Sequence, residues 1–68
     1  MSINYSKAIL LLRSKLDLSQ EEFGKLIGAS LVSVSRWENG HFQPTKLVKV
    51  RLLELLKKNN IDVKEVEK

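Results

Sequence analysis

Apolar residues along this chain recur at intervals of three and four, and nowhere do they alternate with polar ones over the length of a strand. The pattern predicts helices only. A first helix is expected from about Asn4 to Leu16, with Ala8, Ile9, Leu12 and Leu16 as its inward stripe. Ser19-Gln20-Glu21-Glu22 then has the spacing of a capping box, in which a serine hydroxyl and a glutamate carboxylate satisfy each other's unpaired backbone N–H groups. A second helix starts there and presents Phe23, Leu26 and Ile27 on its apolar face. Gly28, which takes up left-handed backbone at little cost, ends it. Ser30 caps a third helix that continues through Asn39 to a stop at Gly40. Pro44-Thr45 opens a fourth, whose apolar positions from Leu47 to Leu56 outnumber what one face needs, and Asn59-Asn60 ends it. Asp62 and Glu65 repeat the capping-box spacing over a short final helix that holds Val63 and Val66. The expectation is an all-α fold, a compact bundle of five short helices making one domain over residues 1–68.

Helices two and three are joined by only a few residues around Gly28, which suits a sharp crossing and leaves too little chain for an antiparallel hairpin. This is helix-turn-helix spacing, over about residues 20–39. Phe23, Ile27, Ala29, Val34 and Trp37 are the apolar positions such a crossing must pack, and Gly24 is small where the two backbones approach. On a helical wheel at about 100° per residue, Val34 and Trp37 fall within roughly 60° of each other and define the buried side of the third helix. The outward side is then Leu31, Val32, Ser35, Arg36 and Asn39. Two aliphatics without a core to enter, beside a cation, ask for a partner. In a DNA major groove they have one: aliphatic carbons contact thymine methyls and a guanidinium donates two bonds to guanine. The start of the same helix, at Ser30, offers N–H groups and a dipole that suit a phosphate.

Charge sharpens this picture. The formal net charge is +4, and it is unevenly spread. Residues 1–16 carry Lys7, Arg13 and Lys15 with no acid, residues 17–39 are net acidic, and residues 40–60 carry Lys46, Lys49, Arg51, Lys57 and Lys58 against Glu54 alone. Basic flanks around an acidic middle are not a polybasic arm; any anion contact is shaped by the fold. The absence of cysteine removes disulfides and thiolate metal sites. His41, the single histidine, has no second ligand of its kind, so no metal and no cofactor are expected. With no positioned nucleophile or glycine-rich phosphate loop, an enzyme is not expected either. The longest apolar run, Ala8 to Leu12, is far short of the roughly 18 residues that span a bilayer, and a cytoplasmic protein without membrane contact is expected. Phe42 fits equally a place under its loop or a partner surface.

Leu18-Ser19-Gln20-Glu21-Glu22-Phe23, Gly28-Ala29-Ser30, Ser35-Arg36-Trp37-Glu38-Asn39-Gly40 and Pro44-Thr45 together resemble the Cro/C1-type helix-turn-helix domain, the XRE family, also described as lambda repressor-like. The resemblance runs from about Ile9 to Val66. It implies a DNA-binding domain whose third helix reads base edges, often as a dimer on a two-fold operator. By position, Leu31, Val32, Ser35 and Arg36 fall where the family reads bases, and Gln20, Asn39 and His41 where it contacts phosphate. It also pairs Arg13 with Glu38, and leaves Trp37 as a buried anchor where an aliphatic is commoner. Asp17 stands where Gly or Asn often closes the first helix. Leu31 and Val32 replace the polar residues that commonly begin the reading helix, so discrimination leans on Arg36, methyl contacts and DNA shape.

The function expected from these features is sequence-specific binding of double-stranded DNA to regulate transcription, by repression. A chain of 68 residues has no room for an inducer domain, so control is expected through concentration, oligomeric state or a second protein. A narrower form is an antitoxin that represses its own operon and meets a toxin, since Trp37-Glu38-Asn39-Gly40 followed by one leucine-rich helix is similar to antitoxins of that kind. The surplus leucines of the fourth helix leave open a homodimer seam or a docking face for a toxin or other protein. A protein-interaction module that keeps the fold without using DNA is the alternative of a different class.

Overall fold

A computed structural model describes residues 3–67. Four α-helices follow one another: α1 (Tyr5–Leu16), α2 (Gln20–Ile27), α3 (Leu31–Glu38) and α4 (Lys46–Lys58), with a 3₁₀ turn at Val63–Val66. Each α-helix begins with a side-chain cap: Asn4 accepts from the Lys7 N–H, Ser19 from Glu22, Ser30 from Ser33 and Thr45 from Val48. The capping box at Ser19 is complete, with the Glu22 carboxylate returning to the Ser19 N–H at 2.9 Å. That hydrogen bond, first, and the one from the Ser19 side chain hold the Glu22 carboxyl below the usual carboxylate range.

All four helices end in one way, on a residue in left-handed backbone: Asp17, Gly28, Gly40 and Asn60. In each case the next residue's N–H reaches back five positions to a carbonyl of the last turn, from Leu18 to Arg13, Ala29 to Gly24, His41 to Arg36 and Ile61 to Leu56. Asn4 lies outside the first helix as its cap. Asn39, expected to be helical, is the residue that closes α3.

Two further expectations need correction. The fifth helix is a single 3₁₀ turn, although its Asp62–Glu65 capping box forms. The chain leaves that turn extended, because Glu67 bridges to Ile3 and the Asn4 N–H donates to the Val66 carbonyl at 2.7 Å. Leu26 is half exposed and does not share the buried face of α2. Phe23, Gly24 and Ile27 are the buried residues, and the arc they define leaves Leu26 about 60° beyond its edge at Phe23.

The core draws on every element: Ile9 and Leu12 of α1, Phe23 and Ile27 of α2, Val34 of α3, Leu52 and Leu56 of α4, and Val66 are all fully buried. Each such side chain contributes about 1.5–3 kcal/mol relative to exposure. α1 and α4 lie start to start and end to end, since the Lys49 ammonium sits 5.2 Å from the centre of the Tyr5 ring and the Lys15 ammonium donates to the Asn59 carbonyl. No helix among the described residues is long and apolar enough to cross a membrane.

Candidate nucleic-acid interface

α3 has only eight residues, too few to hold itself helical in water. It is held by what it buries. Val34 is fully enclosed and Trp37 nearly so, with the Trp37 carbonyl also accepting from the Ser6 hydroxyl of α1 at 2.6 Å. Against α2 the approach is close enough that a Cβ on Gly24 would lie 2.6 Å from the Ala29 carbonyl oxygen. Only a residue without a side chain fits there.

With that side fixed inward, the other side of α3 faces out. Leu31 is 45% and Val32 57% exposed, Arg36 is exposed and Ser35 is partly so, and their spacing sets the four on one side of the helix. Ser30 spends its hydroxyl on the cap, accepting from the Ser33 N–H at 3.1 Å. Among the described residues no acceptor takes the N–H groups of Leu31 and Val32, the first two of the helix. The Asn39 amide turns back to the Ser35 carbonyl at 2.9 Å, and His41 is exposed just beyond it.

Behind this surface lies a polar network joining three helices. One terminal nitrogen of Arg13 donates to both Glu38 carboxylate oxygens, at 2.9 and 2.8 Å, while its Nε donates to the Leu18 carbonyl at 3.1 Å. The Gln20 amide donates to Glu38 Oε1 at 3.0 Å. The Glu38 side chain is only 8% exposed, so these contacts are what offset its desolvation. Among the described residues the second N–H of the Gln20 amide, at the start of α2, has no acceptor.

Three contacts have no counterpart in the sequence reasoning. Arg51 of α4 donates to the Ile27 carbonyl at 2.9 Å and lies against Gly28, a cation set on the carbonyl end of α2. Its position beside the buried Val48 and Leu52 is the signal that could have marked it, but no local rule pairs residues this far apart. The Ser6 bond to α3 is a second such contact. The third is the Arg36 guanidinium, whose carbon stands 5.2 Å from the centre of the Phe42 ring. Phe42 is 56% exposed, so it does not pack beneath its loop.

A small all-α domain with one helix face turned outward, in front of a mostly buried ion pair, is the class these features define. Over residues 2–67 the chain matches the model of the MqsA family, the antitoxin component of a bacterial toxin–antitoxin system, and it belongs to that family. No curated protein and no solved structure gives a significant match. The narrower antitoxin reading is therefore the one that family membership supports, ahead of a general repressor; the Cro/C1 type is not what was matched.

Proposed function

We propose that this antitoxin binds double-stranded DNA and represses its own operon, with α2 and α3 acting as a Cro/C1-type helix-turn-helix and α3 lying in the major groove. The observation that carries the reading is the two-sidedness of α3: Val34 and Trp37 are buried while Leu31, Val32, Ser35 and Arg36 face outward. In this reading Arg36 donates to guanine O6 and N7, Leu31 and Val32 meet thymine methyls, and Ser35 bonds to a neighbouring base edge. Gln20, the N–H groups after Ser30, Asn39 and His41 meet phosphates on either side of the groove. The test is selection of bound sites from a random DNA pool, followed by binding to the winning site and to the promoter of the protein's own gene. Arg36→Ala is expected to cost about 1–3 kcal/mol on the selected site and to relax preference at one base pair, while Gln20→Ala weakens all sequences evenly. If Arg36→Ala left the ranking of sites untouched, that result would falsify the assignment of α3.

The second activity, direct contact with a toxin protein, is supported by family membership and by an apolar strip left on α4. Leu47 is 62% exposed, Val50 48% and Leu53 36%, on the side away from Val48, Leu52 and Leu56. The expected occupant is the toxin. Leu47→Glu with Val50→Glu should leave the fold intact and abolish rescue of growth from a co-expressed neighbouring toxin. If rescue persists and self-association is lost instead, the strip is a homodimer seam.

A further inference from the structure

We propose that Phe42 is a specificity-determining positioning residue: its ring sets the Arg36 guanidinium in a reading orientation before DNA arrives. The inference rests on α3 being the base-reading helix and names a residue beyond that helix.

Gly40 takes left-handed backbone at φ 74°, its N–H bonds to the Trp37 carbonyl, and the His41 N–H bonds to the Arg36 carbonyl, both at 3.2 Å. This termination folds the chain back over the last turn, and the residue that follows is Phe42. In such endings an apolar contact commonly forms between the returning chain and the last turn. Here the residue met on the last turn is Arg36, so the contact is made by an aromatic ring and a cation, at 5.2 Å and within the roughly 6 Å reach of that attraction. The chain is also anchored just beyond Phe42, because Pro44 is buried and Thr45 caps α4. An exposed phenylalanine held at both ends of a short loop is not there to fill the core.

The chemistry of the contact matters for what Arg36 can then do. A phenyl ring accepts none of the guanidinium's conventional hydrogen bonds, whereas guanine is read by N–H groups in the guanidinium plane. Phe42 can therefore limit the side chain's rotamers while leaving its donors available. A carboxylate in the same place would consume those donors and repel phosphate; among the described residues the ion pairs are Arg13–Glu38 and Lys25–Glu21, and neither involves Arg36. Both arginine and a comparable lysine lose much rotamer freedom on binding, and a preset guanidinium loses less.

The experiment compares Phe42→Leu, which removes the ring but keeps an apolar side chain, with Phe42→Tyr, which keeps the ring. Each is measured on the selected site, on that site changed at the base pair that Arg36→Ala relaxes, and on random duplex. Phe42→Leu is expected to lose about two- to fivefold in discrimination at that base pair with random-duplex affinity unchanged, and Phe42→Tyr to retain it. In an Arg36→Ala background, Phe42→Leu should have no further effect there. In the DNA-free protein, the Arg36 side-chain N–H should be ordered by NMR relaxation and become mobile in Phe42→Leu. Discrimination that survives Phe42→Leu, or a loss equal on all DNA, overturns the proposal. An Arg36→Ala variant with unchanged site ranking overturns α3 as reader and the role of Phe42 with it.

Discussion

At the scale of single residues, Glu38 is where charge, burial and function meet. Its carboxylate accepts from Arg13 of α1 and Gln20 of α2 while sitting on the last turn of α3, so it ties the outward helix to the two elements that support it. Replacing it by glutamine keeps the shape and removes the charge, and it sets an amide NH2 against Arg13, donor against donor. Glu38→Gln should therefore lower stability by about 1–3 kcal/mol, the cost of leaving a mostly buried polar group unmatched. Arg13 is a quarter exposed, and water can reach it, which keeps the loss below that of a fully buried pair. Urea unfolding checks this: a midpoint that moves with an unchanged slope is the expected result, and an unmoved midpoint removes Glu38 from the scaffold. The same variant should weaken DNA binding, because Gln20 loses its charged partner at the proposed phosphate contact.

At the scale of elements, the contact of α2 with α3 depends on one missing side chain. Gly24→Ala places a Cβ 2.6 Å from backbone oxygen, and backbone cannot rotate away as a side-chain tip can. A loss of about 1–3 kcal/mol is expected from this overpacking, with thermal unfolding as the measurement. A variant as stable as the parent would show that the two helices can part without cost. This region was legible in the sequence because its signals are local: the Ser19 box, the Ser30 cap, Gly24, Gly28 and Gly40 each act within a few residues. What lies between elements was less so. Spacing alone puts Leu26 on the apolar face of α2, because Gly24, which marks the far edge of the buried arc, carries no hydrophobic signal. Asp62 and Glu65 announced a helix correctly at its start, yet the pairing of Ile3 with Glu67 across the whole chain decides how soon it stops. The contacts of Arg51 with the end of α2 and of Phe42 with Arg36 have no local signal for the same reason, since each is set by how finished elements meet. Resemblance, and not spacing, is what named Arg13 and Glu38 as partners.

At the scale of the whole molecule, the sequence carries its cations on the flanks of the chain while the outward face of α3 contributes mostly carbon and one guanidinium. In the proposed complex with DNA, affinity and specificity then come from different places. Phosphate contacts from the flanks and helix starts should supply binding to any duplex, and Arg36 with its aliphatic neighbours should supply the preference among sequences. Each phosphate neutralised releases counterions, so log affinity falls against log salt by about 0.9 per contact, and four such contacts amount to roughly a tenfold loss for each doubling of salt. The salt series on random duplex is therefore expected to be steep, and the ratio between the selected site and random duplex should change far less across it. Lys46→Ala and Lys49→Ala should flatten the slope wherever those side chains meet phosphate, with no change in which site wins. A flat series on both DNAs would mean that the apolar face of α3 docks on protein, and the molecule would then act as an antitoxin without being a repressor.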